Sequence, residues 1–437
     1  MLSLSSYNTK HWVGPLLLLL VTFILPATTA QEIRWFHTFG GPIWDQGYAI
    51  VEVSSGGFAI TGHTVPYYGA NAEFWLVRTD SYGNLLWSQS YGSTDATWGR
   101  TLIECRTGGF ALAGAIVEPG NDYWDCYILR TAPDGTLLWN QTFWGLKRDR
   151  AESIIECTTG GYAVVGYTGY VHETVFQNRD VWFIRLAEDG SHLWNHTFGG
   201  PNHDWSYQVI EVDTGGFAII GHTASYGVGE DDVWLIRTDA DGNLLWNRTF
   251  GGPEGDWGWS ITACSTGGFA IAGYTENYGP DNTNLWLLRT NATGYALWNQ
   301  TYINGQAYSL LETHDGGFVM TGVTDTHTGI GYDACVLRTN STGHLVWKQV
   351  FGGPQNDQAY HLTTCSTGGY ALTGYTESFG IGGRSMWLVR ISDEGLPYPT
   401  VNPLRVVGWL LVVIPPVLAL FLIIGVLIWR KRRYKTC

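Results

Sequence analysis

Aromatic rings beside carboxylates recur along this chain. Trp44 with Asp45, Asp95 with Trp98, Asp204 with Trp205, Asp256 with Trp257, and Asp357 occupy one kind of segment, most of them just after a Gly-Gly phrase such as TFGGPEGDWG. A second set, Tyr67 and Tyr68, Tyr123 and Trp124, Tyr226, Tyr278 and Phe379, falls between them. Flat rings stack on sugar faces or on a partner protein's apolar patch, and adjacent carboxylates hydrogen-bond hydroxyls. These are the candidate ligand contacts. The competing reading is that an aromatic and an Asp repeated in every copy brace the loop that carries them. Two of the Asp residues acting as acid and base would make the chain a carbohydrate-active enzyme, but those roles need unequal environments, which near-identical copies do not offer.

Other polar sets carry less chemistry. Glu52, Glu104, Glu156, Glu211 and Glu312 share one register, and five carboxylates facing one axis would attract a cation. The structural alternative pairs them with the recurring Arg78, Arg130, Arg185, Arg237, Arg289, Arg338 and Arg390. Asp239-Ala240-Asp241-Gly242-Asn243 resembles part of a calcium loop, yet the same turn elsewhere reads Asn340-Ser341-Thr342-Gly343. A plain hairpin turn is the better expectation. Cys105, Cys157, Cys264 and Cys365 hold one position in different copies and read as small buried hydrophobes. There is no nucleophile elbow and no phosphate loop, and the twelve His scatter without ligand spacing. No catalytic residue, metal ligand or cofactor is expected.

These residues recur because the chain itself repeats. A Gly-Gly-aromatic triplet occurs seven times, from Gly56-Gly57-Phe58 to Gly368-Gly369-Tyr370, at intervals of 49 to 55 residues, a period that signals solenoids or propellers. Each copy divides into four short runs, A to D; in the first they are Tyr48–Val53, Phe58–His63, Phe74–Thr79 and Leu85–Tyr91. Tight Gly turns join A to B and C to D. Four antiparallel strands in about 50 residues describe one propeller blade, so the sequence predicts an all-β, seven-bladed propeller over residues 31–391. The D-run Trp occurs at Trp87, Trp139, Trp194, Trp246, Trp298 and Trp347, and Trp35 in EIRWFHTFGG supplies the seventh. The N-terminal strand is therefore expected to complete the last blade and leave no open edge.

The phrases GGFAIIGHT, DVWLIRTDADGNLLWNRTFGG and FGGPEGDWGWS resemble a repeat of archaeal and bacterial surface proteins, distantly quinoprotein-like. The resemblance covers Ile33 to Ile391 and implies a propeller in an extracellular place. It implies little about ligand, although a quinone-dependent dehydrogenase follows as a remote alternative. Repeat six departs from the pattern, reading TYINGQAYS where others have the Gly-Gly-to-Asp segment, and Cys335 replaces an aromatic.

The ends give an address. Residues 1–30 read as a secretory signal peptide, with an apolar stretch from Pro15 to Leu25 and small residues at Thr28 and Ala30. Residues 392–405 form a Pro-containing linker, 406–429 an uncharged transmembrane helix, and 430–437 a basic tail, which places the tail in the cytoplasm and the propeller outside. The sequons at Asn140, Asn195, Asn247, Asn291, Asn299 and Asn340 agree with an exported glycoprotein. A net charge of −14 argues against a nucleic-acid partner. The expected function is a non-catalytic binding or adhesion module for a glycan or protein at the plasma membrane, with the D–A and B–C loops forming its contact face, turned away from the cell.

Overall fold

The computed structural model describes residues 35–92, 96–117, 123–144, 148–172, 175–279, 283–325 and 331–393. The proposed leader, most of the linker, the span and the tail lie outside them, as does Asp95. Among the described residues every regular element is a strand, and no helix is long and apolar enough to cross a membrane.

Strand character follows burial. The B and C runs, such as Phe217–Thr223 and Asp232–Thr238, are buried along their whole length, because each is sandwiched between neighbouring sheets on both faces, where a continuous apolar run is required. The D runs, such as Leu244–Phe250, are exposed at their first residues and half-buried beyond, and they lie at a sheet edge. Five four-stranded antiparallel sheets result, together with one of seven strands. In the latter the 17-residue strand Ala296–Glu312 pairs through its first half with Asn284–Thr290 and through its second with Phe318–Asp325. It thus serves as the D strand of repeat five and the A strand of repeat six. Repeat six lacks the Gly-Gly loop, so no turn interrupts the two.

The N-terminal strand Trp35–Phe39 pairs antiparallel with Ser385–Ile391, and Trp35 lies opposite Arg390. The expected junction between the two ends is present. Trp35 and Phe39 also pack on a buried cluster formed by Ile50, Phe58, Ile60 and Trp75 of repeat one with Cys365, Ala371, Met386 and Leu388 of repeat seven. Each D-strand Trp from Trp35 to Trp298 lies against the C–D turn glycine of the next repeat: a Cβ on Gly83 would sit 2.4 Å from the Trp35 ring, and one on Gly242 2.6 Å from Trp194.

The Glu and Arg sets do not pair with each other as the sequence suggested. Each Glu reaches the A–B turn of the preceding repeat. Glu104 accepts the amide and hydroxyl of Ser54 at 2.7 Å each, Glu211 those of Thr158 at 2.8 Å, and Glu312 those of Ser265 at 2.7 and 3.1 Å. Glu156 accepts the Arg106 amide at 2.8 Å. Glu52 accepts both donors of Ser366, which ties the first repeat to the last. These carboxylates are clamps between sheets. The recurring arginines tie their own A–B turn: Arg237 donates to the carbonyls of Phe217, Thr238 and Gly215 and to the Thr214 hydroxyl. Cys105, Cys126, Cys157, Cys264, Cys335 and Cys365 are buried free thiols. Asp239 receives the amides of Asp241 and Asn243 on one oxygen, as a capped hairpin turn requires.

Gly83 and Gly56 both adopt positive φ, at 82° and 92°, but a Cβ on Gly56 meets nothing. Gly56→Ala should therefore lose only the left-handed conformational preference, about 1 kcal/mol. Gly83→Ala should lose about 1–3 kcal/mol more by displacing the Trp35 ring. Urea denaturation of the two variants checks this; equal losses would mean that Trp35 does not seal the junction.

Candidate functional site

The loop carboxylates point inward. Asp45, Asp204, Asp256 and Asp357 are fully buried. In each, one oxygen accepts the amide four residues upstream, from Gly41, Gly200, Gly252 and Gly353 at 2.8 to 2.9 Å. Ser225, Asn277 and Ser378 add side-chain bonds of 2.5 to 2.7 Å to the last three, and Thr64 and Thr376 donate to Asp45 and Asp357. These Asp residues brace the D–A loop and present no surface to solvent. In repeat two the equivalent position is Thr97, whose hydroxyl accepts the Phe74 amide at 2.7 Å and donates to the Tyr91 carbonyl at 2.9 Å.

A second carboxylate faces three of these braces from the start of a C strand. Burial and then the neighbouring Asp204, Asp256 or Asp357 push Asp180, Asp232 and Asp333 up to about 6. The closeness is built in by glycine: a Cβ on Gly352 would fall 1.8 Å from Asp333 and 3.0 Å from Asp357. Where repeat six has Gly305 in place of the brace, the residue ahead of it at the C-strand position is the neutral Asn284.

One register escaped the sequence reading. Every A strand carries a bulge, as between Ser206 and Gln208 or between Gly99 and Thr101. The unpaired residues are Tyr48, Arg100, Glu152, Tyr207, Trp259, Tyr308 and Tyr360. A bulge bends the strand and re-aims one side chain, and all seven line a single axial cavity of about 490 Å³ together with residues from the A strands of every repeat. Tyr48 stacks on Tyr360 at 5.0 Å, while Tyr308 lies tilted against Tyr360 at 5.4 Å and Tyr207 tilted against Trp259 at 4.0 Å. Arg100 sits over Tyr48 at 4.3 Å and bonds Glu152 at 2.9 Å. Burial opposes ionisation of Glu152, but Arg100 and Arg150 hold its carboxyl below the usual range.

On the D–A and B–C side this cavity adjoins a recess of about 360 Å³ that shares Tyr48 and Arg100 with it. Trp44, Trp98 and Trp124 line it beside His63, Arg150 and Arg384. Trp98 and Trp124 stack at 4.9 Å, the Arg150 guanidinium lies 5.7 Å above Trp124, and Arg384 lies 5.2 Å over Trp44. Three guanidiniums meet two partner carboxylates, Glu152 and Glu377. Burial first, and then Arg100 and Arg384, push His63 down to about 4, so it stays neutral. Trp44 is 54 % exposed. Of the expected contacts, the structure brings Trp44, Trp98 and Trp124 together, with Tyr123 half-buried beside the last.

The remaining candidates sit apart from the recess. Trp205 and Trp257 flank the buried His222, Trp257 stacked on it at 4.3 Å. Tyr226 and Tyr278 donate to the Gly199 and Gly251 carbonyls at 2.7 and 3.2 Å, bracing loops, and Phe379 packs on Phe36. Tyr67 and Tyr68 are 67 and 91 % exposed. The histidines do not all scatter in space: among the described residues His203, His222 and Asp231 form one cluster, with a ligand atom from each within 4.8 Å of the others.

No family model and no curated protein matches the chain. Among solved structures, the fold is similar to that of a puromycin hydrolase mutant complexed with PGG, at a TM-score of 0.50 and 14 % identity over 83 % of this chain and 58 % of that one. It is also similar to the WD40 domain of Neurospora crassa Pan2 (TM-score 0.47, 10 % identity, 82 and 100 % coverage) and to Sqt1 from Chaetomium thermophilum (0.46, 12 %, 77 and 80 %). At these identities the likeness concerns fold alone. The chain is a β-propeller protein built of repeated four-stranded sheets.

The carboxyl pairs make stability depend on pH. An acid whose folded pKa is raised stabilises the native state below its unfolded value, near 4, and that contribution is lost as pH rises through about 6. Asp333→Asn removes this dependence, so its melting temperature should gain on the wild type between pH 5 and 7.5 and meet it near pH 4. Parallel curves across that range would contradict the pairing.

Proposed function

We propose that the chain is a membrane-anchored extracellular propeller of seven blades that binds an acidic glycan, without catalysis, at the recess over its axial cavity. The observation that carries the reading is the convergence of Trp44, Trp98 and Trp124 with Arg100, Arg150 and Arg384 in one opening. Trp faces suit the apolar side of a sugar ring, and planar guanidiniums suit a carboxylate. This cationic spot lies on a chain of net charge −14, which guides an anion to it and away from the rest of the surface.

Seven copies of the repeat, seven buried clusters between sheets and the pairing of Trp35 with Arg390 support a closed ring of seven blades. The leader-like residues 1–30, the apolar 406–429 and the basic tail support export with a single anchor. The last described strand, Ser385–Ile391, is a C strand, so the chain leaves toward the membrane from the side opposite the recess. Asn140, Asn195, Asn247 and Asn299 lie on D strands, and Asn291 and Asn340 lie at C–D turns, so attached glycans would leave the recess open. Burial of the four loop Asp residues argues against a glycosidase built on them.

On a glycan array the protein should retain uronic or sialic acid structures over their neutral counterparts. Trp98→Ala and Arg384→Gln should each weaken retention about tenfold. Equal retention of neutral sugars, or release of cleaved product, would overturn the reading.

A further inference from the structure

We propose that His203, His222 and Asp231 form a site for one divalent transition-metal ion of the zinc and cobalt class. His203 lies in the D–A loop of repeat four, His222 in its B strand, and Asp231 in its B–C loop. One ligand atom from each falls within 4.8 Å of the others, and His203 Nε2 is 3.1 Å from Asp231 Oδ1. Metal bonds of about 2.0–2.2 Å in tetrahedral geometry set ligand atoms about 3.3 Å apart, so side-chain rotations close the site.

The backbone is already fixed. The Ala224 amide donates to the His203 carbonyl at 2.9 Å, and the Asp256 amide to that of Asp231 at 2.7 Å. His222 is held in the ladder between Trp205 and Val233. Its ring is 1 % exposed, stacked on Trp257, and its Nδ1 has no hydrogen-bond partner. A buried imidazole left without a full set of partners is costly in an apolar wall, and a metal supplies one. The Trp257 indole bonds Asp231 and orients it, the part that outer partners play in metal sites. His203 is about half exposed, which leaves a coordination position toward solvent. Two imidazoles with one carboxylate favour zinc or cobalt over calcium or magnesium.

The same three registers hold Trp44, His63 and Ala72 in repeat one, and Asn356, Tyr375 and Arg384 in repeat seven. The triad therefore belongs to repeat four and is no consequence of the scaffold. Its position apart from the Trp44–Trp98–Trp124 recess makes it independent of the glycan reading.

Cobalt(II) titration of the metal-free full-length protein in detergent should give one equivalent of a visible absorption band that zinc displaces. Zinc should also raise the melting temperature. His203→Ala, half-exposed and so expected to fold, and Asp231→Asn should each weaken cobalt binding at least tenfold, while Asp239→Asn, in the hairpin turn at the far end of the same C strand, should bind as the wild type does. Absence of the band from the wild type, or equal binding by His203→Ala and wild type, would overturn the site.

Discussion

The N-terminal strand must find the last sheet before the rest of this structure makes sense. Trp35–Phe39 supplies the outer strand beside Ser385–Ile391, and Glu52 reaches Ser366, 314 residues away. Closing so long a loop costs chain entropy that grows only slowly with length. One sheet edge, one Glu clamp and the apolar cluster around Ile50, Phe58, Met386 and Leu388 together offset it. Without that junction the face carrying Met386 and Leu388 would meet water, and the axial cavity would lie open on one side.

Closure also explains how a uniform scaffold surrounds one axial cavity with recesses of different character. The positions that hold sheets together scarcely change between repeats: the turn arginine, the D-strand Trp, the buried B and C strands. Variation is concentrated where the scaffold leaves side chains free, at the bulge, at the residue before the loop brace, at the end of the B strand and at the residue before the C strand. Those registers supply Trp44, Tyr48, Arg100, Trp124 and Arg384 to the recess, and His203, His222 and Asp231 in repeat four. Seven identical repeats would give seven equivalent openings, whereas this chain presents openings that differ.

The repeat length, the four runs per copy and the place of Trp35 were legible in the sequence because each rests on periodic residues. The reach of the Glu and Arg side chains was not. Glu52 and Arg78 share a sheet, but the nearest unpaired donors for Glu52 belong to Ser366 in the neighbouring sheet, and the Arg78 guanidinium finds turn carbonyls first. The bulge residues were hidden for a different reason: Tyr48, Arg100 and Glu152 share no residue type, and only the register shift beside each shows that they face one axis. The signal available was partial: the position is Tyr or Trp in five of the seven copies and gives way to Arg100 and Glu152 in the other two. The histidine cluster was illegible because His203 and Asp231 are brought together by two loops, not by spacing.

Hydrogen exchange read by mass spectrometry on the N-terminal strand tests the closed ring most directly. If the two ends are zipped into one cooperative sheet, amides of Trp35–Phe39 will exchange as slowly as those of Ser385–Ile391 and will lose protection together with them as urea is added. Rapid exchange across Trp35–Phe39 while Ser385–Ile391 stays protected would contradict the account.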